Sequence, residues 1–373
     1  MLALTEIILW LFAIVFLFEG FRILGGLKKA ANSGSTKVES EKVDGISLVI
    51  PVRNEHSNLL SLIDNLNELE RPECGFEVIF VDDHSDDETL QVLFQFKQDY
   101  EWVKVVSLKN DSGKPSAIDA GIKSATFSVI ATTDADMKLN SEWIRFLNKT
   151  FSTNSKISMA CGPTLSTEDG FMGEGQVTDW MYMMAVASGS LHSGFPLSAI
   201  GNNMAFRIKD YNDLGGYRLL PFSITEDFAL FRLFLSAGKQ VVFPSTHENL
   251  HLTQPNRSWK EFVSQRKRWI LGGVKSPVRS WVLVASGIGL HFSILFGWLL
   301  NPWLCLAAIL IKLATDYLLI NQFCNQTGTS FNRKGFFQFE IVYPFINLSI
   351  PIITLFSRKV TWKGREYHET HSR

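Results

Sequence analysis

The stretch VIATTDADM (129–137) ends an apolar run with two carboxylates one residue apart, Asp134 and Asp136. Side chains two positions apart in extended chain point the same way, so both face one space. Two ionised carboxylates that close repel each other unless a cation or a hydrogen-bonded ligand lies between them. A hard divalent ion suits oxygen ligands, and Mg2+ commonly joins one or two carboxylates to substrate phosphates. The plain alternative for a lone Asp-x-Asp is a solvated acidic turn.

The elements around this pair alternate in type. ISLVIPV (46–52) is a continuous β-branched run, as expected of a strand buried on both faces. EVIFVDD (77–83), WVKVVSL (102–108) and TFSVIATTDAD (126–136) read as three more strands. Between them, helical spacing runs after Asn54 through Leu59, Leu62, Ile63, Leu66 and Leu69, then over 86–100 and 114–124. Alternating strand and helix predicts an α/β fold with a mostly parallel sheet. Ligands in such sheets bind beyond the carboxyl ends of the strands. Arg53-Asn54-Glu55, Asp82-Asp83 and Asp134-Asp136 stand there.

Apolar segments flank this region. IILWLFAIVFLF (7–18) with its neighbours is long enough for one membrane helix, and Arg22, Lys28 and Lys29 after it put that side in the cytoplasm. A cleaved signal peptide fits less well, because no Lys or Arg precedes the run and no small-residue cleavage site follows it. Residues 281–300 and 302–320 form a helical hairpin turning at Asn301-Pro302. The third stretch, 337–356, would carry the basic tail outside if it spanned, and Pro344 and Pro351 interrupt it. A bent, re-entrant or interfacial element is preferred over a span. The expected divisions are a membrane helix over 1–25, a linker over 26–45 and an α/β domain over 46–275. Membrane helices over 276–357 and a basic tail over 358–373 follow.

The chain has 373 residues, net charge −1 and 46% hydrophobic residues. Near-neutral charge gives no support for a nucleic-acid partner. Cys74, Cys161, Cys305 and Cys324 are scattered, which argues against a disulfide framework or a thiolate metal site.

IPVRNE (50–55), VDDHSDD (81–87), GKPSA (113–117), TDAD (133–136), GNNMAF (201–206), TED (225–227) and QRKRW (265–269) occur in that order. Over about residues 46–270 the set resembles the family 2 glycosyltransferases of GT-A fold. The similar branch is the membrane-bound one, which holds ceramide glucosyltransferase-like enzymes and the cellulose, hyaluronan and poly-N-acetylglucosamine synthases. His84 departs from the resemblance, since the family usually has Gly after the paired aspartates.

The resemblance implies a nucleotide-sugar donor, with UDP as the expected nucleotide, and Mg2+ or Mn2+. It assigns Pro51, Arg53, Glu55, Asp82, Asp83, Lys114 and Asp134 to the donor nucleotide, and Asp136 to the metal. Asp82 and Asp83 have helix capping as a second reading. Asp227 is implied as the base that takes a proton from the acceptor hydroxyl, with inversion at the sugar. Gly201, Asn202, Asn203, Glu226, Gln265, Arg268 and Trp269 are implied around the acceptor and the diphosphate. Trp269 would offer a flat wall to a sugar ring. Arg266 and Lys267 would point elsewhere, and a juxtamembrane basic cluster on lipid headgroups is the rival for 266–268. Lys363 and Arg365 of WKGR (362–365) are further phosphate candidates.

The Met- and aromatic-rich stretch 171–190 has two readings, core packing or an interfacial helix on the bilayer. The expected setting is a bacterial inner membrane with a cytosolic catalytic domain. The expected acceptor is a lipid or lipid-linked hydroxyl. A processive polysaccharide synthase and an inactive membrane scaffold are the alternatives. A transporter is excluded by the few apolar segments and their lack of charge.

Overall fold

A computed structural model of the chain describes residues 2–31, 33, 40–221, 223–273, 278–356, 359–362 and 365–368. After helix α1 (Leu2–Ala30), strands and helices alternate as β1 (Ile46–Val52), α2 (His56–Asn67), β2 (Phe76–Asp82), α3 (Thr89–Asp99), β3 (Val103–Ser107), α4 (Lys114–Ser124) and β4 (Val129–Thr132). Next come β5 (Met137–Lys138), α5 (Trp143–Thr153), β6 (Ile157–Cys161), β7 (Thr164–Ser166), α6 (Glu174–His192), β8 (Met204–Arg207), α7 (Ile208–Asp213) and α8 (Gly216–Leu219). The chain continues through α9 (Glu226–Ser236), β9 (Gln240–Val242), β10 (His251–Thr253) and α10 (Trp259–Gly273). The last elements are α11 (Val278–Phe296), α12 (Pro302–Thr327), α13 (Arg333–Phe356) and a hairpin, β11 (Lys359–Trp362) with β12 (Arg365–His368).

The main sheet has the order β3-β2-β1-β4-β8-β6-β9, and β8 alone runs against its neighbours. The expected α/β fold with a mostly parallel sheet is therefore present. Its continuous apolar strands follow from burial on both faces. Leu48 and Ile50 of β1 pack on one side with Leu59 and Leu62 of α2, while Val49 packs on the other with Ile118 of α4. The extended strand expected over 126–136 stops at Thr132, and residues 135–136 turn.

α6 lies on the second side of the sheet and decides the reading of 171–190 in favour of core packing. Trp180, Met181 and Met184 are buried, and the same core takes in Ile23 and Leu27 of α1, Phe323 of α12 and Phe339 of α13. α1 and α6 cross backbone to backbone. A Cβ at Gly26 would lie 2.0 Å from the Gly189 carbonyl oxygen, so only glycine fits there. Ser193 Oγ donates to the Arg22 carbonyl at 2.6 Å beside this crossing.

Among the described residues, four helices are long and apolar enough to cross a membrane: Ala3–Ala30, Ser280–Leu299, Pro302–Thr327 and Arg333–Phe356. α1, α11 and α12 pack on one another around Ala13, Phe16, Leu290 and Ala308. At the end of this bundle remote from α6, Asn301 Nδ2 in the hairpin turn donates to Glu6 Oε1 of α1 at 2.6 Å.

α13 continues as one helix through Pro344 and Pro351. Its first turn rests on α6, with Gly335 against the Glu174 backbone, and its later Ile346 and Ile350 rest on Phe262 of α10. β11 then packs against α10. Both ends of α13 thus adjoin helices of the sheet domain, while Phe337, Ile341, Phe345 and Ile352 are exposed along its outer face. The first membrane helix, expected to end at residue 25, continues to Ala30, so the linker expected over 26–45 begins later. Its residues 32 and 34–39 and residue Lys363 lie outside the described residues, and the side chain of Arg365 is likewise undescribed.

Candidate active site

The carboxyl ends of β1, β2 and β4 deliver the expected groups to one region. Pro51 lies in β1 opposite Val81, next to the strand's end. Beyond it, Arg53 Nη1 lies 3.8 Å from Asp83 Oδ2. Glu55 is buried, and its Oε2 accepts from Asn58 Nδ2 at 2.7 Å. Asp83 joins two elements, since its Oδ2 accepts the Gly113 N–H at 2.9 Å at the entrance to α4.

Asp82 departs from the donor-binding expectation. It is buried, and both its oxygens accept from the Ser85 N–H at 3.3 and 3.4 Å, so the side chain closes the 82–85 loop. His84 shows why glycine is usual after the paired aspartates. Its φ is 59°, in the left-handed region. Its Nδ1 lies 3.1 Å from Asp83 Oδ1, a hydrogen bond that raises the His84 pKa.

After β4, Thr133 and Ala135 are buried while Asp134 and Asp136 are only partly so. The alternation puts both carboxylates toward the open side although the backbone is no longer a strand. Lys114, the first residue of α4, sits among acids. Its Nζ is 2.6 Å from Asp134 Oδ1 and 3.6 Å from Glu226 Oε1. Burial works against its charge, but Asp134, Glu226 and Asp227 outweigh burial and raise its pKa. The Glu226 carboxyl is pushed up by burial and by Asp227, against the pull of Lys114.

Asp227 stands in the first turn of α9, where the helix end favours a negative charge. Its Oδ2 accepts the Gly201 N–H and its Oδ1 the Phe228 N–H, both at 2.7 Å. Charge-assisted bonds of this kind contribute about 1.5–3 kcal/mol each. The Gly201 segment is itself fixed by two residues that sequence reasoning missed. Thr132 Oγ1 donates to the Gly201 carbonyl at 3.0 Å, and Thr133 Oγ1 to the Asn202 carbonyl at 2.9 Å. Thr132 ends β4 and Thr133 follows it just before Asp134, so one short stretch places both the Asp pair and Asp227. Thr133 opens the TDAD motif and Thr132 directly precedes it, which was the available signal.

Asn202 and Asn203 do not open onto the site. Asn202 Oδ1 accepts from Thr164 Oγ1 at 2.9 Å, and Asn203 Nδ2 donates to the carbonyls of Pro163 and Asn249 at 3.0 and 2.7 Å. Buried amides must be hydrogen-bonded, and these are used to brace the segment.

α10 reaches the site at its far end, where a Cβ on Gly272 would lie 2.0 Å from Thr225 Oγ1. Gln265 Oε1 accepts from Asn256 Nδ2 at 3.0 Å. Arg268 is half-buried on the same helix. Trp269 packs edge-on against Trp180 at 5.6 Å, with the Arg266 guanidinium 4.6 Å from its ring centre. Its ring packs between α6 and α10 and is partly buried there. Arg266 is buried in an ion pair with Asp179, which removes it from any headgroup cluster. Also unforeseen was His251, fully buried and edge-on to Trp143 at 4.4 Å. Burial lowers its pKa to about 3.

Among the described residues, no three His, Cys, Asp or Glu side chains are arranged to hold a metal ion. Asp134 and Asp136 still suit a hard divalent ion, which usually takes one or two carboxylates and completes its shell with phosphate and water. Around Lys114, the carboxyl groups of Asp134, Glu226 and Asp227 outnumber the one ammonium, which suits the place to a further cation.

Comparison with known proteins finds a family similarity in the sheet domain. The Glycosyl transferase family 2 model matches residues 47–212. Within those residues the chain matches a family 2 glycosyltransferase domain. A poly-beta-1,6-N-acetyl-D-glucosamine synthase of Staphylococcus epidermidis is 26% identical over 196 residues, covering 52% of this chain and 46% of the relative. A beta-monoglucosyldiacylglycerol synthase of Trichormus variabilis is 25% identical over 250 residues, covering 64% of this chain and 51% of the relative. The chain thus spans about half the length of these curated relatives. In fold it is similar to a mannosyltransferase of Pyrobaculum calidifontis solved with GDP-Man and Mn2+. There the TM-score is 0.62 at 15% identity, covering 95% of this chain and 99% of that one.

Proposed function

We propose that this glycosyltransferase moves a sugar from a nucleotide-diphosphate sugar to the hydroxyl of a lipid acceptor at a membrane surface, with inversion. The observation that carries the reading is the placement of Asp227. Each of its oxygens accepts one backbone N–H, which leaves lone pairs to take a hydroxyl proton. Lys114 ties Asp134 to Glu226 within the same region.

Asp83, Lys114 and Asp134 bind the donor nucleotide, and Arg268 faces the diphosphate. Asp136, with Asp134 nearby, would hold a divalent ion. Such an ion supplies charge neutralisation on the diphosphate. Arg268 and Lys114 add positive charge where the leaving group becomes negative. Asp227 takes the acceptor proton, and attack opposite the leaving group inverts the anomeric carbon.

A lipid acceptor is supported by the apolar helices and by the relative named as a monoglucosyldiacylglycerol synthase. Basic residues at the catalytic end of α1, Lys28 and Lys29, favour the cytosolic side for the domain. α13, resting on the domain at both ends with an apolar outer face, fits an interfacial helix better than a span. The relative named as a polysaccharide synthase favours a second reading, a polymerising enzyme.

The test is nucleoside diphosphate release by the purified protein in mild detergent. A panel of UDP- and GDP-sugars is offered with a bacterial lipid extract and Mg2+ or Mn2+. GDP-sugars belong in the panel because the structural neighbour holds GDP-Man. Release that Asp227→Asn abolishes supports the reading, and the mass of the product separates one added sugar from a polymer. Release unaffected by Asp227→Asn rejects the base assignment. No release from any donor favours the scaffold.

A further inference from the structure

A buried cluster of charges lies in the apolar helices, away from the catalytic carboxylates. Lys312 Nζ of α12 is 2.7 Å from Asp316 Oδ2 and 2.5 Å from Glu340 Oε2 of α13. Lys312 and Asp316 are 2% and 1% exposed. The ammonium also lies 4.7 and 5.3 Å from the ring centres of Phe339 and Tyr343. His291 of α11 packs on Tyr343 at 5.8 Å. Ionisable groups are costly in an apolar helix bundle, and replacing a buried ion cluster by apolar groups is often neutral or stabilising. Stability alone is therefore a weak reason for this cluster.

Its connections lead to the catalytic helix. Glu340 fixes α13 to α12, and farther along α13 Ile346 and Ile350 pack on Phe262 of α10. Phe339 and Tyr343 meet Tyr182 of α6 at 5.4 and 5.6 Å. One turn earlier on α6, Asp179 pairs with Arg266 of α10. The Arg266 guanidinium lies over Phe262 and Trp269 at 4.8 and 4.6 Å. α10 is thus held from two directions by helices that themselves meet around Lys312, and Gln265 and Arg268 flank these two grips.

We propose that Lys312, with Asp316 and Glu340, is a positioning group that sets α10 so that Arg268 meets the donor diphosphate. The inference rests on the assignment of Arg268 given above. Asp316 holds the ammonium on α12, and the Glu340 bridge to it then fixes how α13 sits against α12, a setting that apolar packing alone leaves looser.

The test compares four enzymes in lipid nanodiscs: Lys312→Met, Lys312→Arg, the neutral triad Lys312→Met/Asp316→Asn/Glu340→Gln, and Arg268→Ala. A fifth combines the neutral triad with Arg268→Ala. Turnover, donor KM and thermal unfolding are measured for each. The expected result is a loss of at least about tenfold in kcat for Lys312→Met and for the neutral triad, with donor KM within about threefold. Lys312→Arg should stay within about threefold of the parent. The neutral triad should unfold no earlier than the parent, and should cost little more when Arg268 is already absent.

A neutral triad with parental kcat overturns the proposal. So does a neutral triad that does not fold, since the cluster is then structural, and so does a full additive loss on top of Arg268→Ala. An Arg268→Ala enzyme at the parental rate instead rejects the diphosphate assignment itself, and this route falls with it.

Discussion

Gly201→Ala tests the placement of Asp227 without touching a side chain that does chemistry. An added Cβ would stand 2.5 Å from Asp227 Cβ and 3.1 Å from Oδ2. Ordinary contact begins at 3.4 Å, so the carboxylate or the segment must retreat by about 0.9 Å. That retreat lengthens the 2.7 Å hydrogen bond from the Gly201 N–H and carries the base away from its hydroxyl. The segment cannot easily give, because Thr132 and Thr133 hold its carbonyls and Asn202 and Asn203 are buried. A displacement of about 1 Å in a reacting geometry costs roughly 10²-fold. That equals about 2.7 kcal/mol in the barrier. Overpacking costs about 1–3 kcal/mol of stability, so the protein should still fold. The assay is nucleoside diphosphate release at saturating donor and acceptor, with a thermal melt. Gly273→Ala, which meets nothing within 4 Å, is the control. A Gly201→Ala enzyme with kcat within about threefold of the parent would refute the reasoning, provided Asp227→Asn is inactive.

Three further outcomes are expected. His251 stays neutral in the fold down to about pH 3, whereas the unfolded chain protonates near 6.5. Its stabilising contribution is complete above 6.5 and is lost as pH falls, by ~1.4 kcal/mol per unit, so about 2 kcal/mol is gone at pH 5. His251→Phe should melt with less change between pH 7 and 5, and equal shifts in both proteins would reject this. Gly189→Leu should lower the melting temperature sharply, because its Cβ would lie 2.4 Å from the Ile23 carbonyl, while Gly25→Ala, with open space around it, should not. Chelation with EDTA should stop turnover, Mg2+ or Mn2+ should restore it, and Asp136→Asn should need at least about tenfold more metal. Full turnover in EDTA would exclude a metal role.

The parallel half of the sheet was legible because strands buried on both faces must be apolar throughout, as in ISLVIPV and EVIFV. The Asp134–Asp136 pair was legible from spacing, and its burial pattern survives although the backbone turns there. Asp82, Asn202, Asn203 and Trp269 were not, since a polar or aromatic residue in a motif looks alike whether it faces ligand or braces a loop. The role of α6 was undecidable from 171–190 because its partners lie far away in sequence, in α1, α12 and α13. His251 was missed for the same reason, as its burial depends on Trp143, more than a hundred residues earlier.

The shared core also bears on the order in which the molecule can be completed. α6 emerges from the ribosome after α1 but well before α12 and α13. During that interval Trp180, Met181 and Met184 lack the cover that Phe323 and Phe339 later provide. The sheet and α2–α5 can assemble, yet one side of the nascent domain stays apolar and open, a surface for chaperones or for the lipid itself. A fragment cut at residue 275 would keep that wound permanently. The boundary between the sheet domain and the apolar helices, clear in composition, is therefore no place to divide the protein for expression of the domain alone.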